Sequence, residues 1–258
     1  MTKTKTYKLL IWIAVIAILI YSAIGLDFSA FKSFSFGNIR LVVDGLLHPD
    51  WGYFYDGSGE DVLGLMIMTI GIACLGTMIG TVGAIPFTLI ASRNLWKHHP
   101  NVAKVGKFIL NVLRSFPELV YAIIFVKVVG PGPFAGVLAI GIHHIGMLGK
   151  LYAEEMEAIS EDSIEAMESV GANFTQTMFY ARIPQLLPIY VSLSLNHFEI
   201  ALRSASTLGL VGAGGIGAPL IFAIQARNWD KVSIILISVI VTVFVLDMLT
   251  GYIRKKLR

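Results

Sequence analysis

The chain has 258 residues, of which 55% are hydrophobic and 14% charged. A soluble domain of this length carries roughly 25% charged residues, so a water-soluble globule is excluded and an all-α integral membrane protein is expected. The net charge of +3 is too small to point to nucleic acid, and the lone Cys74 cannot form an intrachain disulfide.

Lys3, Lys5 and Lys8 precede an apolar run from Leu9 to Leu26. That run is long enough for one crossing, so residues 1–26 are expected to be a transmembrane helix. A signal peptide has the same outline, but Ala23-Ile24-Gly25 is a poor cleavage site and favours a retained helix. Residues 27–61 are mixed, with Asp27, Lys32, Arg40 and Asp44, then a turn-rich stretch. They are expected on the outer surface, with an amphipathic helix around Ile39–Leu47 and an interfacial cluster of Trp51, Tyr53, Phe54 and Tyr55.

Residues 62–253 hold the remaining crossings. Val62 to Ser92 is the second, with Gly76 and Gly80 spaced for close helix contact. A basic loop follows with Arg93, Lys97, Lys104 and Lys107, in which His98 and His99 read as solvated. Val105 to Val129 is the third crossing, and Pro117 should kink or break it. Phe134 to Tyr152 is the fourth and carries His143 and His144. Leu186 to Leu208 is the fifth, Lys231 to Ile253 the sixth, and residues 254–258 form a basic tail. Lysine and arginine cluster at the N-terminus, the 93–107 loop and the tail, which fall on one side when six crossings are threaded. Both termini are therefore expected in the cytoplasm, and so is the loop of residues 154–184.

That loop is the most informative stretch. It holds seven of the seventeen acidic residues between Glu154 and Glu168. Asp162 with Glu165, and Asn173 with Gln176, are capping-box patterns, and Gly171 lies where a helix end needs φ > 0. Two short helices are expected. Ile164, Met167 and Val170 stripe the first, and Phe174, Met178 and Ala181 the second. A loop with apolar stripes outside a bilayer is expected to dock onto a partner. Glu165-Ala166-Met167, then Gly171, then Ala181-Arg182-Ile183-Pro184 resembles the EAA loop of binding-protein-dependent ABC importer permeases. Glu165, Ala166, Gly171 and Pro184 match that pattern, whereas Met167, Ala181 and Ile183 depart from it but stay apolar.

Other polar and glycine-rich positions carry weaker signals. Gly212, Gly214 and Gly217 spell G-x-G-x-x-G, but between two crossings, with no surrounding βαβ unit. Together with Gly215 they are read as gating or packing glycines. The chain contains no G-x-x-x-x-G-K-[ST], so it does not bind ATP by a P-loop. Glu199 and Arg203 are four apart, and a mutual ion pair is the plainer expectation. The sharper one is that Arg203, Ser204, Ser206 and Thr207 face an anion, along a path that also takes in Glu118 and His143. No nucleophile–base set and no metal-ligand spacing is visible, so neither a catalytic residue nor a bound metal is expected.

Further runs narrow the likeness. Leu113-Arg114-Ser115-Phe116-Pro117-Glu118-Leu119 and the stretch from Ser204 to Gly217 resemble phosphonate-type permeases. The resemblance implies a type I ABC importer with the methionine-permease-like fold, in a bacterial cytoplasmic membrane. It implies a homodimer, or a pair with a paralogous permease, above two ATPase subunits that carry ATP and Mg. It also implies an extracytoplasmic binding protein delivering phosphonate, phosphite or phosphate, and no cofactor on this chain. Glu165, Ala166, Met167, Gly171 and Pro184 would form the ATPase dock. The rival readings are a methionine-type permease, a secondary transporter or channel, and a membrane enzyme acting on lipid phosphate.

Overall fold

The computed structural model describes residues 3–25 and 36–257, and every regular element among them is helical. The expectations for Leu26, Asp27 and Lys32 lie outside the described residues. The chain divides into two compact units, residues 1–44 and 45–258. The first contains α1 (Lys3–Ile24), and the boundary falls inside α2 (Phe36–Leu47), the expected amphipathic helix.

The second unit is built on α3 (Val62–Ala91), α4 (Pro100–Ser115), α5 (Glu118–Val129) and α6 (Pro133–Ala158). Two short helices follow, α7 (Asp162–Ser169) and α8 (Phe174–Thr177), then α9 (Ile183–Leu208), α10 (Gly217–Gln225) and α11 (Trp229–Leu257). Helices α3, α6 and α11 are long and apolar enough to cross a bilayer, and α4 with α5 make a fourth, broken span. The apolar part of α1, Leu10–Ile24, is shorter. Helix α9 has 26 residues, about 39 Å of length, with polar groups along it. The six expected crossings are thus all helical.

Three of them differ from the expected outline. The third is two helices bent by 80°. Pro117 has no N–H to give, and it forces Phe116 into an extended conformation (φ −83°, ψ 129°). The freed Leu113 carbonyl accepts the Tyr121 hydroxyl at 2.7 Å, which fastens the bend. The fourth runs on to Ala158, so Glu154, Glu155 and Glu157 lie on a helix rather than in a loop. The basic tail is the last turn of α11, where Arg254, Lys255 and Lys256 oppose the negative helix end.

Helices α3 and α6 run side by side in the same direction. Gly76 meets Ile140, Gly80 meets His144, and the Thr88 hydroxyl donates to the Gly149 carbonyl. A Cβ on Gly76 would sit 2.7 Å from Ile140 Cβ, so the absent side chain is what allows this approach. The core around them joins Ile72, Ala139 and Ile140 to Leu202, Ala205 and Leu208 of α9.

The aromatic cluster at residues 51–55 divides. Trp51 and Tyr55 are exposed, whereas Tyr53 and Phe54 pack on the core of Val62, Met66, Ile234 and Ile235. Lys231 Nζ lies 4.6 Å from the centre of the Tyr53 ring. Tyr53 is thus held by a Lys231–ring contact and by core packing.

Candidate functional site

The loop between α6 and α9 is a folded knuckle. Helix α7 ends in a Schellman motif: Ala172 N donates to Met167 O and Gly171 N to Glu168 O, both at 3.0 Å. Gly171 takes φ +83°, the left-handed region that the motif needs. The Asn173–Gln176 capping box forms, with both bonds at 2.9 Å. The Asp162–Glu165 box does not. Helix α7 starts one residue earlier, on Glu161, and the Ser160 hydroxyl accepts from Asp162 N at 3.2 Å.

Met178–Arg182 then forms a π-helical turn into α9. Pro184 is the cause. It cannot donate to the Tyr180 carbonyl, and its ring would collide with that oxygen in a regular α-turn. The extra residue in the π-turn relieves both problems.

The two expected apolar stripes split. Ile164, Met178 and Ala181 are buried within the unit, and Met178 joins a small core with Met156 and Leu186. Met167 is half-buried. Val170 (80% exposed), Phe174 (65%), Phe179 (60%) and Tyr180 (74%) face outward instead. The inward set seats the loop and the outward set is an unmatched apolar surface. Glu165, Ala166, Gly171 and Pro184 are all exposed on the same knuckle.

Part of the acidity is used internally. Glu157 accepts from Arg93 N at 2.7 Å and pairs with Lys107 at 2.8 Å, and Glu161 lies 3.6 Å from Lys97. The basic loop and the acidic stretch therefore hold each other. Arg182 is buried in the loop, and Nη1 of its guanidinium bonds to no described residue. Burial pushes its pKa below the ordinary value, against the pull of Glu168 and Glu161.

The intramembrane polar groups are rearranged relative to expectation. Glu199 does not pair with Arg203. It is buried, bonded to the Thr250 hydroxyl and to Arg254 Nη2 at 2.7 Å, both on α11. Helix α9 turns Glu199 inward and leaves Arg203 exposed, and no described carboxylate pairs with Arg203. The next residue, Ser204, faces the Glu118 carboxylate, whose Oε1 is buried without a described partner. His143 lies by the bend, its ring 6.3 Å from that of Tyr121. Ser204 and Glu118 are thus brought together and His143 stands near the break that begins the Glu118 helix, whereas the exposed Arg203, one residue from Ser204, points to another side of α9. Ser206 and Thr207 are less available, because their hydroxyls donate back to Leu202 O and Ser204 O.

The glycine-rich segment folds tightly over the start of α6. Gly132 N donates to Gly212 O at 2.8 Å, and Ile216 N to the Thr69 hydroxyl at 3.0 Å. A Cβ on Gly214 would lie 2.7 Å from Pro133 N, one on Gly215 2.8 Å from the Thr69 oxygen, and one on Gly217 against the Ser206 carbonyl.

Four residues that sequence reasoning passed over are prominent here. His197 stacks edge-on with His144, ring centres 5.0 Å apart. Arg254 neutralises Glu199, and Tyr152 and Tyr190 stack at 4.1 Å. No spacing rule links Tyr152 to Tyr190 or Glu199 to Arg254, since each pair spans two helices.

The chain is 37% identical over 203 residues to the phosphate-import permease protein PhnE of Mycolicibacterium smegmatis, covering 79% of this chain and 38% of that protein. It is also 37% identical over 190 residues to the phosphite transport system permease protein PtxC of Stutzerimonas stutzeri, covering 74% of this chain and 69% of PtxC. This chain thus spans well under half the length of the mycobacterial relative. The inward-facing MetNI methionine ABC transporter superposes with a TM-score of 0.63 at 17% identity, over 87% of this chain and all of that one. That likeness shows the type I importer fold. Residues 84–258, more than half of the chain, match the family model, and the chain belongs to the binding-protein-dependent transport system inner membrane components.

Proposed function

We propose that this chain is the membrane-spanning permease subunit of an ATP-driven importer for phosphonate or a related phosphorus oxyanion. The observation that carries the reading is the knuckle around Gly171, seated from below by Ile164 and Met178 and apolar on its outer face. Such a surface suits the groove of a separate cytoplasmic ATPase, which would bind ATP and Mg. Glu165, Ala166, Met167, Gly171 and Pro184, with Val170 and Phe174, would make that contact. Both termini and the knuckle would then lie in the cytoplasm.

The names of the relatives support the substrate class. The chain offers it a cation, because the Arg203 guanidinium is exposed and pairs with no described carboxylate, and guanidinium suits a phosphorus oxyanion. Glu118 and His143 would border the same path, and Gly212, Gly214, Gly215 and Gly217 would close the loop above it. A binding protein on the outer face would deliver the ligand, and closure of the ATPase dimer would rock the helices between inward- and outward-facing states. An open apolar hollow of about 510 Å³ between α3 and α9, lined by Thr77, Met78, Val191 and Phe198, suits a second permease chain.

The direct experiment is copurification from membranes followed by uptake. The wild-type chain should bring down an ATPase, and Glu165→Lys should lose it while inserting normally. Arg203→Ala should lower phosphite or phosphonate uptake about tenfold, the scale of one charge-assisted hydrogen bond, and leave the complex assembled. A chain that copurifies with no ATPase under gentle detergent would overturn the reading.

A further inference from the structure

Where the knuckle joins the membrane helices, α6 and α9 are tied through their hydroxyls. Tyr152 lies six residues before the end of α6, and Tyr190 seven residues after the start of α9. Their rings stack with centres 4.1 Å apart and planes 18° apart. Tyr190 donates its hydroxyl to Tyr152 O at 2.9 Å. Tyr152 Oη lies 2.5 Å from Ser194 Oγ, and Ser194 donates to Tyr190 O at 2.7 Å. The bonds therefore close a ring: Tyr152 hydroxyl to Ser194 hydroxyl to Tyr190 carbonyl, and Tyr190 hydroxyl back to the Tyr152 carbonyl.

We infer that this Tyr152–Tyr190–Ser194 ring is a latch that makes α6, α9 and the knuckle between them move as one body. The inference rests on the knuckle being the ATPase dock, but its geometry does not. A loop of 24 residues joined only at its ends would flex when pushed at Val170 or Phe174. The latch and the small core of Met156, Met178 and Leu186, against which Tyr190 also packs, remove that freedom. Tyr152 is 1% exposed, so its hydroxyl would otherwise be an unpaired polar group, and the ring gives it a partner only when α6 and α9 are in register. Displacement of the knuckle is then passed to both helices rather than spent on bending the loop. Tyr152, Tyr190 and Ser194 are positioning residues: they act through the two helices that they join.

The test has one arm that needs no transport. In a Cys74→Ser background, spin labels at Thr175→Cys on the knuckle and Phe134→Cys at the exposed start of α6 report their separation in the full-length chain in lipid nanodiscs. A narrow distance distribution is expected, and it should broaden in Tyr152→Phe with Tyr190→Phe. Ser194→Ala should broaden it as well, and Ser194→Thr, which keeps the hydroxyl, should restore it. In the assembled transporter, phosphite taken up per ATP hydrolysed should fall about fivefold in the double variant while the ATPase stays bound. An unchanged distribution, or lower yield and melting temperature with the distribution still narrow, would overturn the latch. If the wild-type chain gives the narrow distribution but binds no ATPase, the latch stands and the proposed function fails.

Discussion

The two connections that flank α9 solve opposite problems. The knuckle before it is held by side chains: a capping box, an apolar seat and ionic ties from the basic loop. The glycine-rich segment after it is held by their absence, with backbone against backbone at Gly214–Pro133 and Gly217–Gly209. The first leaves Val170, Phe174, Phe179 and Tyr180 exposed on its outer face. The second has no room for a methyl group at Gly209, Gly214, Gly215 or Gly217. One connection is stiffened by side chains from inside, whereas the other closes a corner with residues that take up no space.

Substitutions that exchange those properties should sharpen the contrast. Gly217→Val should have the largest effect, because its Cβ would strike the Ser206 carbonyl, and backbone cannot step aside as a side chain can. Loss of monodisperse protein in detergent is expected, and a normal elution profile would show that the corner is looser than its geometry implies. Glu199→Ala should rank next, since it strands Arg254 on α11, while the Thr250 hydroxyl keeps the Leu246 and Asp247 carbonyls. Arg254 is partly exposed, so the cost should be about 2–3 kcal/mol, below that of a fully buried pair, read as a lower unfolding midpoint.

Gly171→Ala tests the knuckle with no contact to break, because nothing lies within 4 Å of the new methyl. Only the φ of +83° resists it, and about 1 kcal/mol is expected, confined to the loop and visible as faster amide exchange over residues 162–177. Asn173→Ala removes one cap and should cost about 1 kcal/mol by the same readout. Lys97→Ala should be the smallest. Its pair with Glu161 is exposed at 3.6 Å, and a change under about 0.5 kcal/mol is expected. A larger effect would mean that the ties between the basic loop and the acidic stretch act as a network.

Local features were legible because their causes lie within a few residues. The helix at Ile39–Leu47, the break at Pro117, the turn at Gly171 and the Asn173 cap all follow from dihedral limits or from bonds spanning three or four positions. The loop between α6 and α9 was legible for a second reason, the resemblance carried by Glu165, Gly171 and Pro184. The Asp162 box was misread because Ser160, two residues upstream, offers a competing acceptor. The Glu199–Arg203 pair was misread because spacing on one helix says nothing of what the neighbouring helix offers, and α11 offered Thr250 and Arg254.

The amino-acid sequence by itself determined that the chain is helical and membrane-embedded, and where its crossings and its folded loop lie. Those are consequences of apolar run length, proline and glycine, and they act locally. Only the tertiary structure decided which apolar residues of the loop turn inward, which acid neutralises which base, and that Tyr152 finds Tyr190. Those outcomes depend on the register between helices distant in sequence, α6 against α9 and α9 against α11, which no spacing within one helix specifies.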